Sequence, residues 1–206
     1  MDKAVIDHFW RQRSGSGAGR WTENPMLAFE LDLLAPMVGE NCRILDLGSG
    51  PAELSRSLLR DSSQLLAVDK YPGFLENIPD DLRISKQCAD LESFATADTF
   101  DLILLFGVVT HLESHEEEAI YRKVCSWLNP AGSFVAKHQV SCGAELMVDA
   151  FSEALQCRYV ARYPAVDVQK TILKAHFNVV KTIAYPNTFN PWPTTKHIAF
   201  ICSEPR

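Results

Sequence analysis

Arg43-Ile44-Leu45-Asp46-Leu47-Gly48-Ser49-Gly50-Pro51-Ala52-Glu53-Leu54 is the stretch that decides the fold. A short apolar strand runs into a glycine turn and then into a helix. Such a turn brings backbone N–H groups at a helix N-terminus close to a ligand. Asp46 stands at the strand tip, two residues before the first glycine. Its carboxylate repels a pyrophosphate and holds a ligand that carries an ammonium group. A dinucleotide fingerprint needs a further glycine at position 53, where this chain has Glu53.

Downstream of this turn, strands and helices alternate. The second strand, 65–69, ends in Asp69 and is followed by Lys70. A short helix near 73–77 leads to a third strand at about 82–88, then Asp90 and Leu91. The run Phe100–Phe106 reads as a fourth strand, apolar enough to be covered on both faces. Ser114 with Glu117 predicts a capping box for the next helix, which stops at Asn129-Pro130 before a fifth strand at 133–139. Helical patterns cover 143–155 and 165–175. The last strands, 177–185 and 196–202, flank a loop too short for a helical crossover and are expected to pair antiparallel.

Upstream, residues 2–13 form a helical pattern with Val5, Ile6, Phe9 and Trp10 on one face. The segment 14–19, rich in Gly and Ser, interrupts it. Asn24 and Pro25 read as the N-cap and first turn of a second helix. The whole is expected to be one domain: an N-terminal helix and candidate lid over 1–24, a cofactor-binding core over 25–140, and acceptor-side helices with a terminal hairpin over 141–206.

In an open α/β sheet, ligands bind beyond the carboxyl ends of the strands. That rule turns the strand order into a candidate site. Asp46, Gly48, Ser49 and Gly50 lie at the first strand end, and Asp69 and Lys70 at the second. Asp90 and Leu91 follow the third, Phe106 and then His111 the fourth, and His138 the fifth. Asp69 is placed to accept ribose hydroxyls. Asp90 is placed to accept an adenine amino group, or else to cap the turn after it.

In this order, D-L-G-S-G-P-A-E-L, A-V-D, C-A-D-L, F-D-L-I-L-L-F and L-N-P-A-G-S-F-V-A resemble the class I S-adenosylmethionine-dependent methyltransferases over about residues 42–140. The resemblance implies a Rossmann-like open α/β sheet of seven strands, the last antiparallel, with helices on both faces. It also implies S-adenosylmethionine as the cofactor, with S-adenosylhomocysteine as product. Asp46, Gly48, Ser49 and Gly50 would hold its methionine part, Asp69 its ribose, and Asp90 with Leu91 its adenine. Ala52 replaces the family's third glycine. The Asn/Asp-Pro-Pro-aromatic motif of amide and nucleobase-amine methylators is missing after Phe106, where Gly107-Val108-Val109-Thr110-His111 stands.

Methyl transfer rests chiefly on holding the acceptor close and aligned, and a general base assists when the acceptor loses a proton. His138 and His111 are the candidate bases. Arg20 and Trp21, after the glycine-rich segment, and Tyr185, Asn187 and Trp192, around the last turn, are the candidate acceptor-binding residues. The arginines make an anionic small molecule one option. A protein or RNA methyltransferase, or a cofactor-binding subunit without activity of its own, are the alternatives.

With 206 residues, 47% hydrophobic and 22% charged, the chain has the composition of an ordinary globule. Its net charge of −6 weighs against a nucleic-acid groove. No apolar run is long enough for a membrane span, and no signal-peptide core opens the chain, so a cytoplasmic protein is expected. Six scattered cysteines without a C-x-x-C read as reduced thiols, and no metal site is expected.

Overall fold

The computed structural model describes residues 1–16, 24–190 and 192–206. Seven strands form one sheet: β1 (Arg43–Leu47), β2 (Gln64–Asp69), β3 (Ile84–Cys88), β4 (Phe100–Phe106), β5 (Leu128–Ser141), β8 (Phe177–Ala184) and β9 (Thr195–Pro205). Their order is β3-β2-β1-β4-β5-β9-β8. Pairing is parallel from β3 through β5, and β9 runs antiparallel to both β5 and β8. The expected late hairpin is therefore present, inserted so that its last strand lies inside the sheet.

Alternation along the central strands produces two cores. Leu45, Ile103, Leu105, Phe134 and Phe200 face one way and pack on Ile120, Tyr121 and Val124 of α5 (Ser114–Trp127) and Leu173 of α6 (Val166–His176). Ile44, Leu102, Leu104, Val135 and Ala199 face the other way. They are covered by Leu34 of α2 (Leu27–Leu34), by Leu58 just after α3 (Glu53–Ser57), and by Leu75 of α4 (Pro72–Glu76). Each large aliphatic side chain buried in this way contributes about 1.5–3 kcal/mol.

A third cluster sits over the carboxyl end of the sheet. Here α1 (Lys3–Ser16) packs Phe9 against Tyr159, Ala161 and Tyr163 of β7 (Cys157–Tyr163), which pairs antiparallel with β6 (Leu146–Ser152). This hairpin corrects the expected helix over 143–155. Glu, Leu, Met and Ala there favour a helix in isolation. Pairing with β7 and burial of β7's inner face on α1 override that preference.

Two helix starts also shift. Glu113, not Ser114, caps α5: its side chain accepts the Glu116 backbone N–H, and Glu116 accepts the Glu113 N–H at 2.6 Å. Ser114 Oγ instead accepts from Arg162 at 3.3 Å. Asn24 forms a turn before α2, its Oδ1 accepting the Met26 N–H at 3.0 Å, and Met26 takes the N-cap position.

Candidate active site

A cleft of about 540 Å³ opens at the carboxyl ends of β1, β2, β4 and β5. Gly48, Ser49, Gly50, Asp69, Lys70, Asp90, Leu91 and Phe106 all line it, as do His111 and His138. The strand-end rule thus brought these residues to one place.

The glycine turn is shaped by positive φ. Gly48 has φ +68°, and a Cβ there would stand 2.5 Å from Val108 Cγ2. Gly50 has φ +55°, with nothing within 4 Å of where a Cβ would sit. Ala52, in the place of the third glycine, also has φ +52° and caps α3. An alanine holds this conformation at a cost of roughly 1–2 kcal/mol.

Asp69 ties the turn to β2. Its Oδ2 accepts the Gly50 N–H at 2.8 Å, and its Oδ1 accepts the Tyr71 N–H at 2.9 Å. Each carboxylate oxygen keeps a further lone pair for a hydroxyl donor. Burial pushes its pKa up, and the backbone N–H groups partly offset this. Lys70 pairs with Asp90 Oδ2 at 3.1 Å and with Asp7 Oδ1 of α1 at 3.4 Å. Asp90 Oδ1 also accepts the Glu92 N–H at 3.0 Å, so the acid caps the turn after β3 while lining the cleft.

Asp46 differs from expectation. It lies under the turn and does not line the cleft. Its Oδ2 accepts from Ser55 Oγ of α3 at 2.6 Å. Burial pushes its pKa up to about 7, with the Ser55 bond opposing and nearby Asp69 adding to the rise.

His138 of β5 lines the cleft but is almost fully buried, its ring stacked on Phe200 at 5.3 Å. Burial pushes its pKa down to about 3, and the Arg162 and Lys137 cations push the same way. Such a ring is neutral at pH 7 and a weak proton acceptor, which counts against the expected general base. His111 stands in a short helical turn, with Trp10 of α1 edge-on at 5.4 Å and Tyr159 of β7 at 5.9 Å.

The acceptor-binding expectations fare less well. Tyr185 is buried off the cleft, donating its hydroxyl to Glu30 Oε1 at 3.2 Å. Asn187 and Trp192 do not line the cleft either; Asn187 starts a short turn and Trp192 is exposed. Arg20 and Trp21 lie outside the described residues. Sequence reading missed Glu30 of α2 and His197 of β9, both on the cleft wall, and the pairing of Glu30 with Lys137. Lys137 Nζ pairs with Glu30 Oε1 at 3.0 Å, over the Tyr185 ring at 5.2 Å, and Asn24 Nδ2 donates to Glu30 Oε2 at 3.0 Å. A charged residue at position 30 inside the apolar run of α2 was the available signal.

Residues 44–132 match the family model described as a methyltransferase domain. That segment carries a methyltransferase domain. No curated protein matches the chain in sequence. Among solved structures, the methyltransferase domain and its flanks resemble the Burkholderia thailandensis 1,6-didemethyltoxoflavin-N1-methyltransferase, which was solved with 1,6-didemethyltoxoflavin and S-adenosylhomocysteine. Identity is 17%, the match covers 98% of this chain and 88% of that one, and the TM-score is 0.74. A coclaurine N-methyltransferase matches at 12% identity over 87% and 70% of the two chains, with a TM-score of 0.72. The glycopeptide N-methyltransferase MtfA, complexed with sinefungin, matches at 15% over 86% and 94%, with a TM-score of 0.68. At these identities the likeness is one of fold. It agrees with the Rossmann-like seven-stranded sheet and its antiparallel last strand.

Proposed function

We propose that this methyltransferase domain uses S-adenosylmethionine to methylate a nitrogen or oxygen of a small molecule. The observation that carries the reading is the Asp69–Gly50 bond. It fixes a carboxylate and a glycine turn side by side on one wall of the cleft. The cofactor supplies a methyl group on a cationic sulfur, which leaves as a neutral thioether when the acceptor's lone pair takes the methyl. Gly48, Ser49 and Gly50 are the residues for its methionine part, Asp69 for its ribose, and Asp90 with Leu91 for its adenine.

Charge supports this reading and narrows the acceptor. Among the described residues, seven carboxylates line the cleft against three lysines. That field favours a cationic cofactor and an uncharged or cationic acceptor. Three arginines near the cleft are held in ion pairs: Arg162 with Glu117, Arg158 with Asp149 and Asp2, and Arg11 with Asp7. The similar solved structures are those of N-methyltransferases, which favours nitrogen. The domain is proposed to work as one unit, with α1 and the β6–β7 hairpin roofing the cleft and excluding water.

Calorimetry with S-adenosylhomocysteine tests the reading. The wild-type protein should bind it, and Asp69→Asn should bind it about 10–100-fold more weakly, the loss of a charged hydrogen bond to the ribose. No binding by the wild type removes the cofactor assignment. An unchanged affinity in the variant removes the role of Asp69. Transfer of a radiolabelled methyl to small-molecule extracts by the isolated chain then separates an enzyme from a non-catalytic subunit.

A further inference from the structure

The turn that follows β3 is held from both sides. Its N–H groups point at Asp90: Ser93 and Phe94 donate to the Asp90 carbonyl at 3.0 and 2.8 Å, and Glu92 donates to Asp90 Oδ1 at 3.0 Å. Its carbonyls meet one ammonium on the other side. Lys123 Nζ of α5 donates to Leu91 O at 3.1 Å, to Glu92 O at 2.5 Å and to Phe94 O at 3.0 Å. An ammonium has three N–H donors and accepts nothing, so three converging carbonyls match it.

α5 grips the same turn a second time. Trp127, one helical turn after Lys123, meets the buried Phe94 ring edge-on at 5.1 Å. That contact pins the far end of the turn in the core. The near end, where Leu91 is half-buried and Glu92 exposed, is tied to α5 through Lys123. Asp90, Leu91 and Glu92 line the cleft, and Lys123 stands behind them, off the cleft wall. Water can replace an ammonium at carbonyls near the surface, so Lys123 adds little to global stability. Water does not fix where those carbonyls stand. Three bonds to one atom carried by a packed helix do.

We infer that Lys123 is a positioning residue: it fixes the Asp90–Phe94 turn and through it makes the base end of the cofactor site select adenine. The selection rests on the proposed function; the fixing of the turn does not. Asp90 already accepts Glu92 N–H on Oδ1 and Lys70 on Oδ2, and each oxygen keeps a lone pair for an adenine amino group. An oxo group in the place of that amine would set oxygen against oxygen. The preference is as sharp as the carboxylate is well aimed, because a hydrogen bond weakens steeply out of line. Its aim is set by the turn that Lys123 holds.

Two measurements on the intact protein test this. The first is amide hydrogen exchange without cofactor. In Lys123→Met, the Glu92 and Ser93 N–H groups should exchange about tenfold faster, while those of Val124 and Trp127 keep the wild-type rate. Unchanged exchange at Glu92 and Ser93, or equal acceleration along α5, overturns the positioning role. The second is calorimetry with S-adenosylhomocysteine and with S-inosylhomocysteine, its oxo analogue at the base. The wild type should favour the first by about tenfold or more, and Lys123→Met should shrink that ratio about threefold. Lys123→Arg, which keeps several donors on a cation, should retain most of it. A merely structural role would weaken both ligands alike. No preference in the wild type, or an unchanged ratio in Lys123→Met, overturns the selection. Should Lys123→Met not fold, Lys123→Gln, with two donors for three carbonyls, is read in the same way. Faster exchange in the variant without S-adenosylhomocysteine binding by the wild type keeps the turn and removes the cofactor assignment. Unchanged exchange alongside intact binding does the reverse.

Discussion

Replacing Asp46 with asparagine isolates the electrostatics of the glycine turn. In the folded protein its pKa rises from an ordinary 3.8 to about 7, chiefly through burial. A carboxyl with a raised folded pKa contributes its stability at low pH and loses it as pH climbs, until the folded pKa is passed. Between pH 5.5 and 7.5 that linkage removes about 2 kcal/mol of the free protein's stability. Asp46→Asn keeps the size and a hydrogen-bonding oxygen or nitrogen for Ser55 but has no charge to bury. Urea unfolding at pH 5.5, 6.5 and 7.5 should show wild-type stability falling while the variant's falls much less. A residual slope of the same sign is expected from Asp69, whose pKa is also raised by burial. The same free energy is available to a ligand. If an ammonium group above the turn returns Asp46 to its ordinary pKa, affinity for S-adenosylhomocysteine rises at most about twentyfold over the same pH range. In Asp46→Asn that rise should vanish. Stability and affinity curves that run parallel in wild type and variant would refute the reasoning, and with it the role of Asp46 as the charge that selects an ammonium-bearing ligand.

Two further substitutions test the frame around the cleft. Gly48→Ala should destabilise by about 2–4 kcal/mol, combining the left-handed backbone with overpacking against Val108; adding Val108→Ala should restore only the overpacking share, read by chemical denaturation, and full restoration would show that the backbone conformation is not strained. Arg162→Met should cost about 3–5 kcal/mol by leaving Glu117 charged and buried without its guanidinium, and the double variant Arg162→Met/Glu117→Gln should recover part of that; equal stability of the single and double variants would refute the buried pair.

The cleft wall at the strand ends was legible because each of its residues is tied to a strand end. Once Ile44–Leu47, Leu65–Val68 and Phe100–Phe106 are recognised as covered strands, topology puts Asp69, Asp90 and Phe106 on one rim. No long-range contact has to be guessed. Asp46 was the exception within that set. A side chain at a strand tip points into or under the site according to the pleat, and the spacing to Gly48 does not fix which. Its hydrogen bond to Ser55 and its absence from the cleft wall settle the matter in favour of the underside.

Glu30 and Arg162 were poorly legible for a physical reason that the two share. Both are charged residues in segments that read as apolar packing elements, and each is made tolerable by a partner more than 40 residues away in sequence: Lys137 for Glu30, Glu117 for Arg162. A buried charge needs its counter-charge within hydrogen-bonding distance. Such a residue therefore predicts that a partner exists without naming it, since periodicity carries no information about contacts between distant elements. The β6–β7 hairpin compounds this. Its first half was expected to be helical, so the strand partner that places Arg162 of β7 beside Glu117 was not foreseen. The two ion pairs also lie on opposite faces of β5, beside Lys137 and His138 in turn. The cleft wall around Glu30 and Lys137 thus rests on a long-range ion pair that is hard to read, whereas the glycine turn and Asp69 meet because their two strands are parallel neighbours.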